Sequence, residues 1–82
     1  MSIGDKVKSV MSAGAVKSSG LASALGISTQ ALSNKFYRDS FSVEDLVTVA
    51  ECANCELAFI SANGSKIILE RADIKPKTAK GE

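Results

Sequence analysis

The chain contains no histidine among its 82 residues, and that absence removes a good deal of chemistry. Without an imidazole, no Ser-His or Cys-His nucleophile can be assembled. Two cysteines, Cys52 and Cys55, fall short of the roughly four ligands a structural zinc site needs,. Their "CANC" spacing closes an expected helix rather than opening one, which argues against a redox pair. Small, buried, reduced thiols are the expectation for both. The carboxylates are scattered over capping and surface positions, and the six glycines form no phosphate-binding loop. Long apolar runs are missing as well. "ELAFI" is too short to span a bilayer, and "MSIGDKVKSV" lacks the apolar core of a signal peptide. The expectation is a cytoplasmic, non-enzymatic single domain with no cofactor and no metal.

What is present is a hydrophobic content of 45% and an uneven distribution of charge. Residues 1–43 carry a balance of +3, residues 44–74 of −4, and the tail of +2. A basic half beside an acidic one can offer one face to a polyanion and keep another for different work.

Ile3, Val7, Val10 and Met11 recur at helical spacing, which predicts a helix over 3–13 with Gly14 as a left-handed stop. A second, short helix is expected over 18–25, turning Leu21, Ala22 and Leu25 inward and ending at Gly26. Ser28 can cap a third helix over 29–37, with Ile27 stapled onto Leu32. Ser42 with Asp45 forms a capping box for a fourth, whose apolar stripe is Val43, Leu46, Val47, Ala50 and Ala53. Asn54 tolerates the left-handed conformation where that helix should stop. The period then changes. "ELAFISANGSKIILER" places Asn63-Gly64 between β-rich runs, a hairpin signal. A two-residue turn would pair Ile60 with Ile67, Ala58 with Leu69 and Phe59 with Ile68. Both faces of that hairpin are apolar, whereas a hairpin with one buried face alternates more cleanly.

The stretch "ISTQALSNKFYR" is unusual for a solvated helix. Serine, threonine and asparagine compete for backbone hydrogen bonds and are mediocre helix formers. Leu32 and Phe36 define its inner face. Gln30, Ser33, Asn34 and Tyr37 then share the opposite wall, at i, i+3, i+4 and i+7. Uncharged donor-acceptor groups of this kind suit base edges in the major groove: Gln or Asn addresses adenine N6 and N7, and Ser or Thr serves several edges. Ser28 and Thr29 stand at the helix N-terminus, which enters the groove first in helix-turn-helix proteins. Lys35 and Arg38 flank the wall and could hold phosphates. The bland alternative is a solvated face, which suits each residue singly better than it suits the set.

"GLASALGISTQALSNKFYR" resembles the helix-turn-helix of the phage Cro and repressor (XRE-type) DNA-binding proteins. The Leu21-Ala22 pair, the Gly26 turn, Ile27 and Leu32 carry the likeness, and "FSVEDLVTVAECANCEL" resembles the family's next helix, with a buried position at Cys55. The resemblance spans roughly residues 3–60. It implies a helical DNA-binding core, usually a dimer on a two-fold symmetric operator in double-stranded DNA. It also implies a phosphate contact at the start of the first motif helix, at Ser18, and Lys17, Ser19 and Tyr37 are further phosphate candidates. Two departures stand out: Ser18 occupies a place where family members often have Gln, and Lys35 a place commonly apolar.

The fold expected is thus mainly α, a four-helix helix-turn-helix core followed by a C-terminal β-hairpin, α+β in total. Residues 1–71 form the domain, 56–71 its dimerising hairpin through Leu57, Phe59, Ile60, Ile67, Ile68 and Leu69, and 72–82 a flexible basic tail. The function expected is a sequence-specific transcriptional regulator, repressor-like. The alternative is a helix-turn-helix-derived interaction module or antitoxin-type protein that docks through its hairpin.

Overall fold

Three of the four helices begin on a serine that satisfies backbone N–H groups the helix cannot pair for itself. In the computed structural model, which describes residues 2–74, Ser2 opens α1 (Ile3–Ala13), Ser28 opens α3 (Thr29–Arg38) and Ser42 opens α4 (Val43–Cys52). At Ser2 and Ser42 the box is reciprocal: the serine Oγ accepts from Asp5 N or Asp45 N, and the aspartate accepts from the serine N–H. The remaining helix, α2 (Ser18–Leu25), starts at Lys17 without any side-chain cap.

These helices enclose one core of Val7, Met11, Leu21, Ala22, Leu32 and Val49, with Val10, Val16, Leu25, Ile27, Phe36, Phe41 and Leu46 packed around it. Leu21 and Leu32 are fully enclosed, so each motif helix contributes one leucine to the centre. α2 and α3 are joined by Gly26, whose φ of 72° needs the left-handed region that glycine enters at little cost,. Phe36 meets Phe41 edge to face, with ring centroids 5.2 Å apart, and closes the core beneath α3,.

The end of α1 departs from expectation. Gly14 has a φ of −95°, and Ala15 instead takes the left-handed φ of 56°. Gly14 is there for room: a Cβ on it would lie 2.7 Å from Ala53 Cα, where the ends of α1 and α4 cross. Ile3, assigned to the apolar stripe, stays exposed. Gly4 is the buried residue of that first turn, against Phe36 and Asp39.

α4 buries four successive residues, Val47, Thr48, Val49 and Ala50, because it packs against α1, α2 and the elements that follow. A single stripe is too narrow a description. Val43 at its start is 54% exposed, and Val49, outside the expected stripe, is core. Thr48 is satisfied by donating to Glu44 O and accepting from Arg71 Nη2. Ala53 takes the buried place at the helix end and Asn54 follows at φ 56°. Both cysteines are exposed, so neither is the small buried thiol expected.

The antiparallel hairpin of β1 (Leu57–Ile60) and β2 (Lys66–Leu69) pairs Leu57 with Leu69, Ala58 with Ile68, Phe59 with Ile67 and Ile60 with Lys66. The register is one residue away from the two-residue turn expected. Gly64 N–H donates to Ser61 O and Ser61 N–H to Ser65 O, closing a three-residue loop with Gly64 at φ 90°. This is the turn-plus-bulge loop that also favours Asn-Gly. Ser61 Oγ, which accepts from Ser65 N–H, and the Asn63 side chain, which contacts Ser61 Oγ, hold it together. Leu57, Phe59, Ile67 and Leu69 therefore share one face, and Ala58, Ile60 and Ile68 share the other with Lys66. Burial follows neither face. It follows distance from α4, with Leu57, Ala58 and Leu69 half-buried and Phe59, Ile60 and Ile67 exposed toward the tip.

A 3-10 turn, η1 (Arg71–Asp73), brings Arg71 back onto α4, where its guanidinium donates to Glu51 and Thr48. Ala72 and Asp73, assigned to the tail, belong to this turn, while residues 75–82 of the expected tail lie outside the described residues. No helix among the described residues is long and apolar enough to cross a membrane.

Candidate nucleic-acid interface

α3 stands on Leu32, which is buried, and on Ala31 and Phe36, which are half-buried. Every other helical position but Lys35 faces outward. Thr29, Gln30, Ser33, Asn34 and Tyr37 are all exposed, Tyr37 at 91%. Among the described residues, the side chains of Thr29, Gln30, Ser33 and Asn34 make no hydrogen bond within the protein. Ser28 is the exception in the set: its Oγ accepts from Ala31 N at 3.0 Å, which leaves its O–H free to donate. The outcome is a rigid helix that presents a row of uncommitted amide and hydroxyl groups.

The two basic residues expected to flank this row part company. Arg38 is exposed and, among the described residues, forms no ion pair. Lys35, expected on phosphate, is half-buried and turned inward. Its Nζ lies 2.8 Å from Asp45 Oδ2 and reaches Ser40 O at 3.5 Å. Burial would push the Asp45 carboxyl up. The hydrogen bonds from Lys35 and Ser42, with the Lys35 charge, outweigh that and hold it below the usual value,. Lys35 thus joins α3 to the start of α4 through an ion pair.

Asp39 performs a second tie, one that sequence reasoning misses. It ends α3 in the left-handed conformation at φ 56°, and its carboxylate accepts from Ile3 N and Gly4 N in the first turn of α1. A negative charge there also suits the positive end of the α1 dipole. The available signal was compositional: an aspartate directly after a basic helix end, in the half of the chain whose charge balance is +3.

α2 brings Lys17, Ser18 and Ser19 together at its uncapped start, all exposed. Free N–H groups in a helix first turn are ready donors to an anion. Ser18 shares an open groove with Ser33 and Tyr37 of α3 and with Lys8 and Ser12 of α1. Lys8 and Ser12 were not anticipated. Their i, i+4 spacing beside Met11 places them on the α1 edge nearest α3, and that spacing was the cue.

Most of the acidic residues lie elsewhere, on α4 and around the hairpin and η1, while Asp5 and Asp39 both accept from backbone N–H groups at the start of α1. Arg71 hydrogen-bonds to Glu51, which holds that carboxyl low and raises the guanidinium in turn, with Glu44 3.8 Å away. Thr29–Arg38 contains no carboxylate. Among the described residues no three potential ligands converge on a metal position.

Residues 5–65, from the first turn of α1 to the loop of the hairpin, match the family described as the bacteriophage CI repressor helix-turn-helix domain. No curated protein and no solved structure shows a match. With most of its length covered, and with α2, Gly26 and α3 forming the motif itself, the chain belongs to the phage CI repressor helix-turn-helix family, a DNA-binding, repressor-type group of regulators that is generally non-enzymatic.

Proposed function

We propose that this protein reads a specific double-stranded DNA sequence by setting α3 into the major groove. The observation that carries the reading is the uncommitted polar wall of Thr29, Gln30, Ser33 and Asn34 on a helix fixed from behind by Leu32 and Phe36. A helix whose donors and acceptors are unpaired in the protein gains from base edges what it lacks internally. Ser28 and Thr29, at the N-terminal end, meet the bases there. Lys17, Ser18, Ser19, Tyr37 and Arg38 hold the backbone phosphates and fix the register. Lys35, committed to Asp45, is not among them.

The protein acts as a homodimer on a near-palindromic operator. Phe59 (66% exposed), Ile60 (73%) and Ile67 (63%) gather apolar surface at the hairpin tip, and a two-stranded ribbon leaves both outer edges unpaired,. A second copy covers that surface around a two-fold axis and sets two α3 helices about 34 Å apart, one turn of DNA.

Binding to randomised duplex DNA, followed by sequencing of the retained fraction, tests the reading. A two-fold symmetric consensus is the expected outcome, and retention of no common sequence would overturn it. The second reading, an interaction module that docks through the hairpin, is favoured by the same exposed tip. It predicts partner binding that responds little to salt, whereas DNA binding weakens steeply as counterions are released.

A further inference from the structure

The geometry points to a third phosphate seat, supplied by α1 rather than by the helix-turn-helix: Lys8 and Ser12, with Ser18, grip a backbone phosphodiester beside the strand that α3 reads. The inference rests on the DNA reading above and extends it to a helix outside the motif.

The groove between α1, the start of α2 and the outer flank of α3 has a floor of Met11, Val16 and Phe36 and walls of Lys8, Ser12, Ser18, Ser33 and Tyr37. It contains one cation and no carboxylate. The Lys8 ammonium sits 5.2 Å from the centroid of the Phe36 ring, and among the described residues it has no carboxylate partner. A cation over an aromatic face is drawn to the ring and away from free rotation in solvent, which holds this charge on the α3 side of α1. The ring offers no lone pair to the ammonium, so its N–H donors remain open to an anion.

The surroundings select a sugar-phosphate strand. Ser12 and Ser18 line the same groove as Lys8 and add hydroxyl donors, the α2 first turn adds uncapped N–H groups, and the apolar floor suits the edge of a deoxyribose,. Ser33 and Tyr37 belong both to this groove and to the polar wall of α3. A strand whose bases meet that wall therefore carries its backbone across the groove. A phosphodiester brings one negative charge, which matches the single cation.

The test compares the intact chain with Lys8→Gln, Lys8→Arg and Ser12→Glu on the sequence recovered by selection, over a range of salt. Lys8→Gln is expected to weaken binding several-fold, to lower the salt slope by about one unit and to leave the base preference unchanged. Interference by ethylation at one phosphate per half-site, present for the intact chain, should vanish in the same variant. Lys8→Arg keeps the charge and should keep both readouts. Ser12→Glu, at an exposed helical position, sets a carboxylate one turn from Lys8, where it competes with a phosphate for the ammonium and repels the strand,. It should weaken binding to a similar extent, so the inference stays testable if Lys8→Gln folds poorly. Unchanged affinity and slope in Lys8→Gln and Ser12→Glu, while Arg38→Ala and Gln30→Ala weaken binding, would overturn the α1 seat and leave the DNA reading standing. Absence of any salt-dependent DNA binding by the intact chain would overturn both.

Discussion

Lys35 Nζ and Asp45 Oδ2, 2.8 Å apart, fasten the last turn of α3 to the first turn of α4. Asp45 serves two helices at once, since the same carboxylate oxygen also accepts from Ser42 N–H in the capping box. The pair orients the reading helix without touching its outer wall. Lys35→Ala should therefore lower stability and leave the salt slope of DNA binding unchanged, in contrast to Arg38→Ala, which should flatten it by about one unit. Titrations of both variants at several salt concentrations decide this. Equal slopes for the two variants would return Lys35 to the phosphate contacts.

The same pair sets a pH dependence. The folded state holds the Asp45 carboxyl below its unfolded value of about 4,. Its contribution is fully present above the unfolded value and is lost as pH falls through the folded one. Asp45→Asn should cost about 1–2 kcal/mol at neutral pH, through the weakened cap and the lost ion pair. The gap to the unmodified protein should narrow as the pH falls through the lowered folded value of Asp45,. Thermal melts at pH 7 and at low pH provide the comparison, and a gap of constant size would show that the ion pair contributes nothing.

Two glycines separate room from conformation. A Cβ at Gly14 would meet Ala53 Cα and Cβ at 2.7 Å, at the helix crossing itself, with no flexible end to yield. Gly14→Ala is expected to destabilise by about 1–3 kcal/mol. Gly20, inside α2, has open space around it, with nothing within 4 Å of where a methyl group would sit. Gly20→Ala should stabilise by about 0.5–1 kcal/mol through helix propensity alone. Chemical denaturation of the pair gives both signs in one experiment.

These positions also explain which parts of the fold were legible. Local chemistry was readable: Ser28 and Ser42 as caps, Gly26 and Asn54 as left-handed residues, and Leu21, Ala22 and Leu32 as inward positions, each determined by its own few neighbours. What was not readable depends on distant residues. Gly14 answers to Ala53, Lys35 to Asp45, and Asp39 to the start of α1. The hairpin register turned on a loop whose Asn-Gly sequence fits two- and three-residue turns alike, and Ser61 decided for the longer one,. For the candidate interface, the α3 wall was apparent from periodicity. Lys8 and Ser12 came into view only once α1 was packed beside α3.

Specificity should reside in the wall. Gln30 is exposed, and within the described residues its side-chain amide has no partner to lose. Its replacement therefore tests recognition with little effect on folding. Gln30→Ala should weaken binding to the best site by about 1–3 kcal/mol and relax the preference at one base position. Full affinity with an unchanged consensus would remove α3 as the reader.

Assembly should depend on the hairpin tip, and the observed register says which substitutions report on it. Phe59 and Ile67 face each other across the strands on one face, while Ile60 sits on the other opposite Lys66. Leu57 and Leu69, half-buried against the helices, serve the core, so charges placed there would confuse unfolding with dissociation. Ile67→Asp puts a carboxylate at a largely exposed position, with Phe59 across the strands as its apolar neighbour within the protomer,. In an isologous contact the charge appears twice about the axis, which roughly doubles its effect. The variant should remain folded, sediment as a monomer at tens of micromolar and bind a single half-site weakly. Lys66→Ala, beside it but already polar, should alter none of these. Sedimentation of the unmodified chain as a monomer at the same concentration would refute the dimer, and the apolar tip would then belong to a different partner.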